Sequence, residues 1–172
     1  FVTAILAKFR AIYPTSMIYN VSWRCNAKCV MCNNWLRPYP NDLKTAEVEE
    51  AFKNRLFSKV SNLGLSGGEP FLRGDLPKIV ALAAKHMPRL KKVTINTNGF
   101  ATKRILKLMV PILETCKEHD ILLGVRTSID GLGKIHEKIR GVPNALEKCM
   151  ETFEGLKELK KEYFFNYGIA YT

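Results

Sequence analysis

The feature that most constrains the fold of this 172-residue chain is a repeated switch of hydrophobic period. Five short apolar runs, Met17–Ser22, Val60–Leu65, Lys92–Thr97, Ile121–Ile129 and Phe164–Tyr171, have the length of strands. Between them, apolar residues recur every three or four positions, as on one face of a helix. Val48, Ala51, Phe52 and Leu56 form one such face. It follows Thr45, which resembles an N-cap, and Glu47, Glu49 and Glu50, whose charges suit the first turns. Asp75 and Pro77 open a second helix that runs to about His86. A third starts at Thr102 and carries Ile105, Leu108, Met109, Ile112, Leu113 and Cys116, with Pro111 expected to kink or restart it. A fourth covers 144–162, with Leu146, Cys149, Met150, Phe153 and Leu156 on one side. Residues 1–12 also have helical spacing, which sets a leading helix (1–14) before a core (15–172).

Strict alternation of strand and helix argues an α/β fold with a parallel sheet and right-handed crossovers. Strands of such sheets are buried on both faces, which accounts for a continuous run such as Val60–Leu65. Chemistry in these folds gathers in the loops after the strands' C-terminal ends. The unusual residues fall there: three cysteines after the first strand, Ser66-Gly67-Gly68-Glu69-Pro70 after the second, Thr97-Asn98-Gly99 after the third, and Ser128-Ile129-Asp130 after the fourth.

Composition narrows the class. Apolar residues make up 47% and charged residues 25%, which excludes disorder and low complexity. No apolar run approaches the ~20 residues of a membrane span, and no secretory signal is readable. Lys and Arg number 27 against 16 Asp and Glu, a net charge of +11. That suits an acidic partner: RNA, an acidic peptide or an anionic cofactor. The lysines are scattered along helices without a run of like charge, which is the pattern of solvated helix faces. Five cysteines, three of them within eight residues, make a poor disulfide framework and fit reduced thiols or metal ligands, hence a cytoplasmic protein.

Cys25, Cys29 and Cys32 have C-x3-C-x2-C spacing. Three thiolates this close converge on one metal centre. A structural zinc site wants four ligands, and no fourth Cys or His lies nearby. An iron–sulfur cluster with three cysteines keeps one iron open to a substrate or cofactor. In the second loop, two glycines let backbone approach a ligand closely. Glu69 adds an anion and Pro70 fixes the turn.

With these motifs the chain resembles the radical S-adenosylmethionine (radical SAM) enzymes, and within them the cofactor-maturation and SPASM-type peptide maturases. The resemblance covers about residues 15–172. It implies a partial (βα)6 TIM-like barrel of parallel strands, here truncated after about the fifth strand. A start at Phe1 and an end just past a strand agree with a piece of a longer protein. By resemblance, Cys25, Cys29 and Cys32 hold three irons of a [4Fe–4S] cluster whose fourth iron chelates S-adenosyl-L-methionine (SAM). Met31 stands where the family usually has an aromatic residue, at a main-chain contact near the adenine. The Gly67-Gly68-Glu69-Pro70 loop, preceded by Ser66, matches the family's element for the methionyl ammonium. Thr97 and Asn98 resemble its third-strand element. Ser128, Asp130 and Arg140 resemble its fourth-strand pattern, with Ser128 a contact to ribose or carboxylate and Arg140 a carboxylate partner. Asn98-Gly99 equally suits a plain turn, and Asp130 a simple cap.

The activity so implied is an oxidoreductase-type cleavage of SAM into methionine and a 5′-deoxyadenosyl radical, which takes hydrogen from a peptide or small molecule. No catalytic residue is expected beyond the cluster ligands. An external one-electron donor of flavodoxin or ferredoxin type is required. A radical SAM enzyme acting on RNA is one alternative, less favoured by the scattered lysines, and a non-catalytic iron–sulfur or zinc module is another. Cys116 and Cys149 read as core residues, His136 as a structural residue, and Trp23 and Trp35 as shields of the cysteine loop or as packing.

Overall fold

The computed structural model describes residues 13–36 and 42–171. The leading helix expected over 1–14 falls almost entirely outside these residues. Five strands, β1 (Ser16–Ser22), β2 (Asn62–Gly67), β3 (Lys92–Thr97), β4 (Leu122–Ser128) and β5 (Asn166–Ala170), form one sheet in the order β1-β2-β3-β4-β5. Every neighbouring pair is parallel. Sequential order means that each crossover steps one strand in the same direction. An open doubly wound sheet would instead reverse its order at a switch point. The arrangement is therefore the wall of a barrel.

The crossovers carry α1 (Thr45–Phe52), α2 (Leu76–His86), α3 (Thr102–Glu118), α4 (Lys134–Arg140) and α5 (Ala145–Leu159). α1 packs on α2, α2 on α3, and α3 on α5. Alternate strand residues, Leu63 and Leu65, Val93 and Ile95, Leu123 and Val125, are buried beneath them. Ile79, Val80, Ile105, Met109, Ile112 and Leu156 meet them from the helices. Each such side chain contributes roughly 1.5–3 kcal/mol through burial. On the other face, the register runs Ile18, Gly64, Thr94, Gly124 and Asn166 across the five strands, and the next row contains Asn20, Ser66, Asn96 and Arg126. That face is polar and open, so these strands are not buried on both sides as the sequence reading expected.

Three local expectations shift. Helix α1 is capped one residue earlier, at Lys44, whose N–H donates to Glu47 Oε2 at 2.7 Å. Thr45 instead donates its hydroxyl to Asp75 Oδ2 at 2.7 Å and ties α1 to the start of α2. Helix α3 runs through Pro111 without a break, and Thr115 Oγ1 donates to the Pro111 carbonyl at 3.0 Å. The seven-residue helix α4 follows β4 where a loop was expected, and α5 is confined to Ala145–Leu159.

Candidate active site

The cysteine loop leaves β1 through an irregularity between Asn20 and Ser22. Arg73, 7% exposed, holds that point in place: Nη1 donates to the Val21 carbonyl at 2.6 Å, Nη2 to the Leu43 carbonyl at 2.6 Å, and Nε to Asp75 Oδ1 at 2.8 Å. The strand ends of β1 and β2 are then spliced by Gly68 N–H to Ser22 O at 2.8 Å and Glu69 N–H to Arg24 O at 2.7 Å. Both glycines of this turn are forced. Gly67 has φ +122°, and a Cβ on Gly68 would stand 2.2 Å from the Arg24 carbonyl oxygen.

Across the site, the loop is stitched to the end of α4. Lys28 N–H donates to Arg140 O and Val30 N–H to Ile139 O, each at 2.9 Å, on either side of Cys29. Gly141 ends α4 in the left-handed region, φ +64°, and a Cβ there would stand 2.5 Å from Lys28 O. All five cysteines are free thiols. Cys29 is buried, whereas Cys25 and Cys32 are half-buried. N–H groups point at two of the sulfurs: Ala27 N and Asn98 Nδ2 at Cys25 Sγ (3.4 and 3.7 Å), and Arg140 Nη1 at Cys29 Sγ (3.6 Å). Trp35 Nε1 donates to the Cys29 carbonyl at 3.3 Å, and Lys28 Nζ lies 5.9 Å from the Trp35 ring centre.

The three cysteines open onto one cavity of about 240 Å³ at the C-terminal ends of β1–β4. Of the expected site residues, Met31, Ser66, Gly67, Gly68, Thr97, Asn98, Ser128 and Arg140 line it, and so does Trp35. Glu69, Pro70 and Asp130 do not. Glu69 is fully buried with its carboxylate turned toward β3: Oε1 accepts from Thr97 Oγ1 (2.8 Å) and Phe71 N (3.1 Å), and Oε2 from Asn98 N (2.7 Å). Burial pushes its carboxyl up to about 7, against the three donors that favour its charge. The anion expected beside a ligand thus braces the turn of β3 instead. Asp130 pairs with Arg140, Oδ2 to Nη2 at 2.6 Å. Asn34 and Asn96 also line the cavity and were not foreseen. For Asn96 a signal existed, since it alternates with buried Ile95 and so faces the open side of β3.

His136 and Cys149 lie behind the cavity wall. His136 is buried, and burial, reinforced by the nearby Arg140 charge, lowers its pKa, so the ring is neutral at pH 7. Its Nδ1 accepts from Asp130 N–H at 3.2 Å, which places the ring hydrogen on Nε2, 3.7 Å from Cys149 Sγ. Burial pushes the Cys149 thiol up to about 12, and its S–H donates to the Asn98 carbonyl at 3.2 Å. The β4 loop is thereby linked through His136 and Cys149 to the β3 loop. The structural reading of His136 agrees with this placement. Cys149 is buried as expected, with an added polar task. Cys116 sits in the apolar core.

Burial raises the Cys25 thiol above its ordinary value, so a thiolate there needs a cationic partner such as a metal. Among the described residues, no group of three His, Cys, Asp or Glu is placed to hold a single metal ion. Three sulfurs facing a shared cavity, with N–H groups on two of them, fit a multinuclear iron–sulfur cluster better than zinc.

Comparison with known proteins agrees with the site. The family model "Radical SAM superfamily" matches residues 19–170. Pre-heme d1 synthase of Dinoroseobacter shibae is 33% identical over 136 residues, covering 78% of this chain and 31% of that protein. The subtilosin biosynthesis protein AlbA of Bacillus subtilis is 28% identical over 149 residues, covering 84% and 31%. The chain thus spans about a third of the length of these curated relatives. Among solved structures, Streptococcus suis SuiB bound to its precursor peptide superposes with a TM-score of 0.68 at 17% identity, over 96% of this chain and 35% of that one. Native anSMEcpe with AdoMet and a peptide superposes at 0.64 and 24% identity, over 90% and 42%. The fold seen here is theirs, and by its sequence the chain belongs to the radical SAM superfamily, whose cofactors are a [4Fe–4S] cluster and SAM.

Proposed function

We propose that this chain is the barrel core of an enzyme that cleaves SAM reductively and takes a hydrogen atom from a peptide or small-molecule substrate. The observation that carries this reading is convergence. Three thiols, a glycine turn, two polar strand ends and an arginine come from four separate loops to one cavity. Cys25, Cys29 and Cys32 are the residues that would hold the cluster. When bound, cluster and SAM supply an electron and a 5′-deoxyadenosyl radical. The chain's own residues bind, orient and shield. The glycine turn, with Ser66, Gly67 and Gly68 on the cavity, offers unencumbered backbone to the methionyl ammonium. Thr97, Asn98 and Ser128 supply hydrogen-bonding groups for the rest of SAM, Arg140 a cation for its carboxylate, and Met31 a neighbour for its adenine. Trp35 and the stitched cysteine loop keep water from the cluster side.

The two substrate classes rest on the relatives. Pre-heme d1 synthase names a small-molecule product, and AlbA a bacteriocin pathway. The net charge of +11 suits docking by an acidic electron donor of flavodoxin or ferredoxin type. Among the described residues no helix is long and apolar enough to cross a membrane. Free thiols at the site favour the reducing cytoplasm. The test is anaerobic reconstitution with iron and sulfide, then dithionite and SAM, with 5′-deoxyadenosine measured by chromatography. Wild-type protein is expected to form it, and Cys29→Ala to form none. Equal formation in both would overturn the proposal.

A further inference from the structure

We infer that the Arg140–Asp130 pair sets the reduction potential of the cluster by placing a buried, counter-balanced cation on the sulfur of Cys29. The inference rests on Cys29 being a cluster ligand, as proposed above. Four observations carry it. Arg140 Nη1 stands 3.6 Å from Cys29 Sγ, and among the described residues no other charged side chain bonds a sulfur of the triplet. The approach is fixed by main chain, because the bonds of Lys28 to Arg140 and Val30 to Ile139 flank Cys29 and leave α4 no freedom to withdraw. The Arg140 side chain is 10% exposed, so salt screens its charge little. Finally, Asp130 Oδ2 lies 2.6 Å from Nη2, with its side chain 2% exposed, and holds the other end of the fork.

The physical consequence follows from charge. Reduction adds an electron to a cluster that already carries thiolate charge. A cation and an N–H donor on a ligand sulfur stabilise the reduced form more than the oxidised one, and so raise the potential. Asp130 works in the opposite sense. Its carboxylate cancels part of the guanidinium charge while keeping it in place. Arg140 is in this role a positioning and tuning residue. The role is separate from any contact of its remaining N–H groups with SAM.

The test is an EPR-monitored redox titration of the reconstituted chain without SAM, with iron content measured on each sample. Arg140→Gln is expected to make reduction at least tenfold less favourable, a downward shift of at least 59 mV for one electron. Arg140→Lys, which keeps the charge, should recover part of that shift. Asp130→Asn keeps a side chain of the same size beside Arg140 Nη2 and removes the counter-charge, so its potential should rise. Opposite signs in Arg140→Gln and Asp130→Asn are the signature, because mere loosening of the loop would move both variants the same way. Unchanged potentials, or shifts of one sign, at full iron content overturn the inference. If Arg140→Gln takes up no iron, the rise in Asp130→Asn decides alone. A wild-type chain that takes up no cluster overturns the functional proposal and this inference with it. A loaded wild type with unmoved variants overturns the inference only.

Discussion

Replacing Gly68 by alanine probes the joint on which the site depends. An added Cβ would lie 2.2 Å from Arg24 O, 2.6 Å from Arg24 C and 2.7 Å from Trp23 O. All three are backbone atoms, which cannot swing away as a side chain does. Ordinary contact begins near 3.4 Å, so the two loops must part by more than 1 Å. That stretch breaks the bonds from Gly68 N to Ser22 O and Glu69 N to Arg24 O, 2.8 and 2.7 Å long. At about 1 kcal/mol for each bond, and more for a donor left unpaired out of water, the loss is about 2–4 kcal/mol. In a domain of this size each kcal/mol moves Tm by about 2–4 °C, so a fall of about 10 °C is expected. The assay is thermal unfolding by circular dichroism, followed by iron uptake on reconstitution. Gly168→Ala is the control, because a Cβ there meets nothing within 4 Å. Its Tm should hold or rise slightly. If Gly68→Ala melts with the control and loads iron equally, the coupling of glycine turn and cysteine loop derived above is refuted.

Glu69 gives a pH dependence. Its folded pKa of about 7 lies above the ordinary 4.5, so between these values the unfolded chain has released a proton that the folded chain still holds. Stability should therefore fall as pH rises from about 4.5 to 7, by about 3 kcal/mol at most, and level off above. Urea unfolding of the metal-free chain at pH 5 and pH 8 should show this fall, and Glu69→Gln should lose it; an equal fall in the variant assigns it elsewhere. Arg73→Ala leaves the Val21 and Leu43 carbonyls without their donor and Asp75 with Thr45 in place of its ion pair, and should cost about 3–5 kcal/mol in the same urea assay. A loss below 1 kcal/mol would show that the end of β1 does not depend on that side chain.

The strands and long helices were legible because their apolar residues carry the period of the face they bury. Strict alternation pointed to a parallel sheet, whereas its sequential order was expected only through the family resemblance to a barrel. Helix α4 was missed for the converse reason. Its buried residues are His136 and Arg140, and Ile135 is exposed, so the face that Lys134–Arg140 buries is not its apolar one. Pro111 was read by its local effect alone, whereas α3 runs on through it with the core residues Met109, Ile112 and Leu113 on either side. The cysteine triplet and the glycine turn stood out because spacing alone brings those atoms together. The role of Glu69 did not, since its acceptor bonds to Thr97 and Asn98 span 28 and 29 residues and arise only when β2 lies beside β3. The same holds for Arg140 and Cys29, which are 111 positions apart.

The central claim is that the three-cysteine loop holds a cluster with one iron open to SAM beside the glycine turn. It is met most directly by the EPR spectrum of the reconstituted, dithionite-reduced chain recorded before and after addition of SAM, with metal content measured on the same sample. About four irons per chain and a spectrum that changes on addition of SAM are expected. Tight zinc in place of iron, or a cluster whose spectrum is indifferent to SAM, would contradict it.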